Sequence, residues 1–341
     1  VRLTSPFRRL SLLLPVALLA LLAACAPVPE AIGPRTQSPA LEPAAIRTGD
    51  GSRLPLRATL PAGKPRRILI AVHGMNDYGT FIREAADWFA TQGIATYAYD
   101  QRGFGESPGR GLWFGGPVMT RDLAELTQAL HLRHPDVPIH ILGESMGGAV
   151  TLLAGLDEDL PGVEGLILSA PAVWGRASMG LMPRVSLWLT ARLFPGLTLS
   201  GSGLRITPSD NIAMLRALGR DPLVIKGTRV ATLHGLVGLM DDALARAGGG
   251  RLPTLILYGS RDEIIPPPPV CTILHQYRDR HEGRWQVALY DTGYHMLLRD
   301  LAARVVWQDI ADWMEGRPLS SGRDVTATPG RWPGCRPESP A

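Results

Sequence analysis

Gly143-Glu144-Ser145-Met146-Gly147 is the stretch on which the reading of this chain turns. It joins an apolar run over residues 137–142 to a helix-like stretch over 146–156. G-x-S-x-G at a strand-to-helix turn is the layout of a nucleophile elbow. Two glycines let the backbone bend sharply enough to hold Ser145 in a strained conformation with its hydroxyl exposed. The helix that follows aims its first N–H groups, and its positive dipole end, at the place where an oxyanion would form.

Outward from the elbow, strand and helix patterns alternate. Short apolar runs at 68–72, 94–99, 163–169, 254–258 and 285–290 fit strands buried on both faces. Helical periodicity covers 81–91, 117–132 (with proline in its first turn) and 297–314. Asp50-Gly51 fits a hairpin turn between two opening strands. Such alternation predicts an α/β fold, with a mostly parallel sheet covered by helices on both sides over residues 45–315. About 80 residues between Ser169 and Thr254 interrupt it with helical patterns and no clear strand, too long for a plain loop. The insertion, about 172–250, is expected to form a helical cap over the carboxyl edge of the sheet, where ligands bind in such folds. Its apolar stretch at 181–189 either packs within the cap or faces an acyl chain or a membrane.

A serine nucleophile needs a base, and the base needs an orienting carboxylate. Asp262 follows the strand at 254–258, and His295 follows the strand at 285–290, so both are expected on the rim that carries Ser145. Glu263 is one step from Asp262 and competes for its role. Asp291 lies four residues before His295 on the same connection, which places it poorly. His73-Gly74-Met75-Asn76 follows the strand at 68–72. The backbone N–H groups of Met75 and Met146 are assigned as oxyanion donors. The side chain of His73 is expected to hold its loop, and the charges between Asp100 and Ser107 to form a structural network. The histidines show no metal-ligand pattern, so no metal is expected.

At 45% hydrophobic and 19% charged, the 341 residues can bury a full core. The net charge of +4 owes much to Arg2, Arg8 and Arg9 near the N-terminus, and no basic stripe with interleaved aromatics points to nucleic acid. Those arginines precede an apolar run over 10–24, short for a membrane span and right for the core of a signal peptide. The run ends Leu22-Ala23-Ala24-Cys25, which resembles a bacterial lipobox. That resemblance implies a signal peptide over 1–24 and lipidation of Cys25, with an ordinary secretory signal or a signal anchor as the other readings. It also implies a cell-envelope location, with Ala26 after the cysteine favouring the outer membrane. Residues 25–44 are rich in proline and are expected to tether the domain, reaching about 60 Å if extended. Residues 316–341 are expected to be a loose tail. Cys271 and Cys335 either pair, which an oxidising compartment permits, or remain free thiols.

Taken together, the motifs resemble the α/β-hydrolase superfamily, and within it the monoacylglycerol lipase and lysophospholipase-like branch. The residues that carry this are His73 to Tyr78, Asp100 to Ser107, Gly143 to Gly148, Gly259-Ser260-Arg261-Asp262 and Gly293-Tyr294-His295. Gln101, Phe104 and Tyr78 stand where that branch often has histidine, and none is at a triad position. The resemblance implies an α/β-hydrolase fold and a serine hydrolase without cofactor. Its expected substrate is a monoacylglycerol or a lysophospholipid. Three other readings stay open: a small-ester carboxylesterase, a peptidase using Asp241-Asp242 to bind an amine, and a non-catalytic envelope-binding module.

Overall fold

The central strands lie between two apolar layers. The computed structural model describes residues 27–335, apart from 202, 204 and 281–283. Residues 1–24, expected as a signal peptide, and Cys25, expected as a lipidation site, lie outside the described residues. Among those described, a nine-stranded sheet has the order β1-β2-β3-β5-β4-β6-β7-β10-β11. The strands are β1 (Ala40–Glu42), β2 (Ala45–Arg47), β3 (Arg53–Thr59), β4 (Arg67–Val72), β5 (Ile94–Tyr99), β6 (Ile139–Glu144), β7 (Val163–Ser169), β10 (Thr254–Gly259) and β11 (Trp285–Tyr290). From β5 to β11 the sheet is parallel, and β3 joins β5 antiparallel with Leu56 opposite Tyr99.

Alternation along β4 shows why these runs are apolar throughout. Ile68, Ile70 and Val72 enter one core, while Leu69 and Ala71 enter the other. The first core is closed by α2 (Gly116–Arg133) and α3 (Met146–Asp157), through Leu123, Leu126, Ala149 and Val150. The second is closed by α1 (Arg83–Thr91) and α8 (Ala303–Met314), through Ala86, Phe89, Val306 and Ile310. Each of the leucine, valine, isoleucine and phenylalanine side chains among these contributes about 1.5–3 kcal/mol when removed from water.

The cap lies between β7 and β10. It comprises α4 (Leu181–Leu193), α5 (Ile212–Arg220) and α6 (Val230–Arg246). It also holds a small hairpin, β8 (Thr198–Ser200) with β9 (Gly227–Arg229), where the sequence showed no strand. Helix α6 is the anchor, burying Val237, Leu239, Met240 and Ala243, whereas α5 buries none of its residues.

Two stretches expected to hang free are held instead. Glu30 N–H donates to the Trp113 carbonyl and Thr36 N–H to Gly49, and Arg35 pairs with the buried carboxylate of Glu125. Residues 40–42 then pair as β1, so the proline-rich segment lies along the domain. At the other end, the chain after α8 runs beside the edge strand β11. Val325 N–H donates to the Val287 carbonyl, and Leu289 N–H to Arg323. Val325 and Trp332 are buried. Cys271, in α7 (Pro267–Arg280), forms a disulfide with Cys335 that closes this strap. An unpaired edge of β11 and a second cysteine explain why a segment rich in glycine and proline is nonetheless fixed.

Candidate active site

Ser145 sits between β6 and α3 with φ 55° and ψ −117°, a conformation that L-residues avoid. Its surroundings hold it there. The Ser145 N–H donates to the Ser169 carbonyl at 3.0 Å, and the Ser145 carbonyl accepts from Gly148 and Ala172 at 2.9 Å each. The flanking glycines are sterically required. A Cβ on Gly143 would overlap the Gly147 carbonyl, and one on Gly147 would overlap that of Val72, both inside 3.0 Å. Met146 opens α3, so its N–H has no acceptor within the helix.

Asp262 and His295 come together from loops after β10 and β11. His295 Nδ1 lies 2.8 Å from Asp262 Oδ2, and both side chains are almost wholly buried. Asp262 Oδ1 accepts the N–H groups of Ile264 and Ile265, at 2.8 and 3.0 Å. An acceptor-only carboxylate at Nδ1 makes that nitrogen the donor, leaving Nε2 of the neutral ring free to accept a proton. Glycines bring the two loops together: a Cβ on Gly259 would overlap the backbone of Gly293. The N–H groups of Ser260 and Arg261 bond across to the Tyr290 and Gly293 carbonyls.

The loop after β4 faces Ser145 directly. A Cβ on Gly74 would stand 3.3 Å from that of Ser145, so Met75 follows at the elbow's rim. His73 is fully buried, with Nε2 accepting from the Gln101 N–H at 3.0 Å and Nδ1 donating to the Gly74 carbonyl at 2.8 Å. Burial pushes its pKa down, which keeps this two-bonded neutral form. Between Asp100 and Ser107 the charges serve the fold. Asp100 accepts from Arg57, Gly79 N–H and Glu106 N–H, and Arg102 is enclosed by Asp50 and Asp122.

The competing residues are engaged elsewhere. Glu263 accepts the Thr207 N–H at 2.6 Å, and the exposed Asp291 pairs with Arg323. Asp241 of the cap is paired with Arg176, by both its backbone N–H and its guanidinium. His134 contacts the Tyr97 hydroxyl, and His234 lies beside Arg176. His275 stands close to the sulfurs of Cys271 and Cys335, but those sulfurs are bonded to each other and the ring packs edge-on against Trp332.

Sequence reasoning missed three charged groups behind the rim. Arg299 donates to Asp77 Oδ2 and to Glu144 Oε1, at 2.7 Å each, with its side chain only 10% exposed. Burial raises the Glu144 pKa, and the Arg299 charge beside it opposes that rise. The signal was present in the motif, because a carboxylate at the buried end of a strand needs a cation.

The chain is similar to known proteins in sequence and in fold. A family described as serine aminopeptidase, S33 (Hydrolase_4) matches residues 63–302. Mouse monoglyceride lipase is 26% identical over 306 residues, covering 86% of this chain and 98% of its own. The monoacylglycerol lipase of Mycolicibacterium smegmatis is 25% identical, covering 77% and 93%. Among solved structures, a soluble variant of monoglyceride lipase from Saccharomyces cerevisiae superposes with a TM-score of 0.69 at 18% identity. It covers 85% of this chain and 99% of that one. A carboxyl esterase from Bacillus coagulans superposes at 0.65 and 18% identity, covering 78% and 94%. With the elbow, the sheet order and a match spanning most of its length, this chain belongs to the serine aminopeptidase S33 family and has the α/β-hydrolase fold.

Proposed function

We propose that this protein is a serine hydrolase of carboxylic esters that takes monoacyl lipids, with Ser145 as nucleophile, His295 as base and Asp262 as orienting acid. The observation that carries the chemistry is the 2.8 Å contact between His295 Nδ1 and Asp262 Oδ2, on the rim that also presents the strained Ser145. Nε2 takes the Ser145 Oγ proton as Oγ bonds to the ester carbonyl carbon. The oxyanion is held by the N–H groups of Met75 and Met146. Collapse breaks the bond to the alcohol, which leaves with the proton from Nε2. Water, deprotonated by the same nitrogen, then releases the fatty acid from Ser145.

The lipid substrate is supported by relatives named as monoacylglycerol lipases and by the cap. Among the described residues, eleven of the sixteen large apolar side chains that face solvent fall between 174 and 212. Residues 174–229 also hold eight arginines or lysines against two aspartates. Exposed apolar side chains in a segment with excess positive charge suit a monoacyl lipid drawn from an anionic interface. No helix among the described residues is long and apolar enough to cross a membrane. Lipidation at Cys25 would keep the cap at such an interface. Of the two cap aspartates offered as an amine site in the peptidase reading, Asp241 is already paired with Arg176.

The test is a ladder of p-nitrophenyl esters from short to long acyl chains, followed by 1-monoacylglycerol and lysophosphatidylcholine. Preference for medium or long chains with cleavage of either lipid supports the proposal. Preference for the shortest esters, with both lipids untouched, replaces it with a small-ester carboxylesterase.

A further inference from the structure

We propose that Arg299 is a positioning residue that locks the oxyanion-donor loop, the nucleophile elbow and the histidine loop into one arrangement. This rests on the assignment of Ser145, His295 and Met75 above. Each of the three groups in the cluster is a near neighbour of one of those residues. Glu144 immediately precedes Ser145, Asp77 follows Met75 by two positions, and Arg299 follows His295 by four.

The guanidinium spans the gap with separate arms. Nη1 donates to Asp77 and Nη2 to Glu144, at 2.7 Å each. Such a planar fork fixes direction as well as distance, which an ammonium on a flexible stem cannot do. Phe81 lies under it, with its ring centroid 5.8 Å from the guanidinium carbon. The arm is held at its base as well. Arg299 N–H and Asp300 N–H both donate to the Met296 carbonyl, and Asn211 of the cap donates to the Arg299 carbonyl at 2.9 Å. Asp300 accepts the Tyr294 N–H at 2.8 Å, so the turn that carries His295 and the arm that reaches Glu144 are one rigid unit.

A cluster serving only the fold would need charge balance and nothing more. Burial of Glu144 and Asp77 without a cation is destabilising, and any cation relieves it. Positioning demands more, because displacing reacting groups by about 1 Å can cost about 100-fold in rate. Arg299→Lys separates the two roles, since it keeps the charge and loses the second arm.

Arg299→Lys, Glu144→Gln and the wild type would be compared for thermal unfolding, for kcat and KM on a soluble ester, and for labelling by a fluorophosphonate probe. The expected result is a folded Arg299→Lys enzyme whose kcat falls about 10- to 100-fold while KM stays within about threefold. A folded Arg299→Lys enzyme with wild-type kcat, or with a change in KM alone, overturns the proposal. If Arg299→Lys does not fold, Glu144→Gln decides. It exchanges the charge-assisted bond on that arm for a weaker one to a neutral amide, so kcat is expected to fall, and a wild-type kcat there also overturns the idea. Failure of the wild type itself to label or turn over would instead sink the assignment of Ser145, which is a separate outcome.

Discussion

Gly147 lies directly against the carbonyl oxygen of Val72, so close that a Cβ there would overlap it. The turn that presents Ser145 is therefore wedged against the end of β4, and the second glycine of the motif is a packing requirement. Gly147→Ala must push β4 and α3 apart. The expected cost is about 1–3 kcal/mol of stability together with loss of ester turnover. Urea unfolding and an activity assay on the same preparation check this, and an alanine variant of wild-type stability would contradict it.

Asp262→Asn keeps the acceptor for the N–H groups of Ile264 and Ile265 and removes the charge beside His295. The amide can donate to Nδ1, which favours the ring tautomer with its proton on Nε2 and blocks its use as a base. The variant should unfold cooperatively like the parent, with kcat reduced by about a thousandfold to ten-thousandfold. A loss below tenfold would point to another carboxylate.

His140 is buried in β6 and packs edge-on against Trp313 at 5.7 Å, and its Nδ1 has no hydrogen-bond partner. Burial, with help from the Arg67 charge, pushes its pKa from 6.5 down to about 3. The unfolded chain therefore binds this proton first as pH falls. The stability this group contributes is present above about pH 6.5 and is lost towards pH 3, at up to about 1.4 kcal/mol per pH unit. His140→Phe should flatten the fall in stability between neutral pH and pH 4. Denaturation curves at several pH values test it, and an unchanged slope would mean that another group drives acid lability.

Opening the bond between Cys271 and Cys335 releases the strap that pairs with β11. Cys335→Ser should lower stability by about 2–5 kcal/mol. Hydrogen exchange should accelerate at the Leu289 amide, which donates to the strap carbonyl of Arg323. Unchanged protection there would show that Val325 and Trp332 hold the strap unaided.

Leu181 and Met182 are 72% and 74% exposed at the start of α4. Serine at both positions should weaken binding to anionic phospholipid vesicles and raise KM for vesicle-borne monoacylglycerol by about tenfold. Hydrolysis of a soluble butyrate ester should stay within about twofold. Equal losses on both substrates would place these side chains in the cap's own packing.

Much of the site was legible because it depends on local backbone chemistry. Gly143 and Gly147 encode a turn that tolerates no Cβ, apolar runs encode strands buried on two faces, and Asp262 and His295 each stand just past such a run. Register was less legible. The apolar run at 137–142 predicts the strand two residues early, because β6 extends to the polar Glu144 that Arg299 accommodates. The closing helix was expected from residue 297 and begins at Ala303, since residues 296–300 are folded into the turn that carries Arg299.

What the sequence by itself determined is the order of the three proposed catalytic side chains and the strand ends that carry them. Periodicity and glycine placement act over a few residues, so they can be read without the fold. The tertiary structure alone decided which charges pair and which loose-looking segments are held. Arg299 is 222 residues from Asp77 and 155 from Glu144, and Cys335 is 64 from Cys271. No local pattern marks such partners, because they are chosen by which buried charge lacks a counter-ion and which strand edge lacks a neighbour once the sheet has closed.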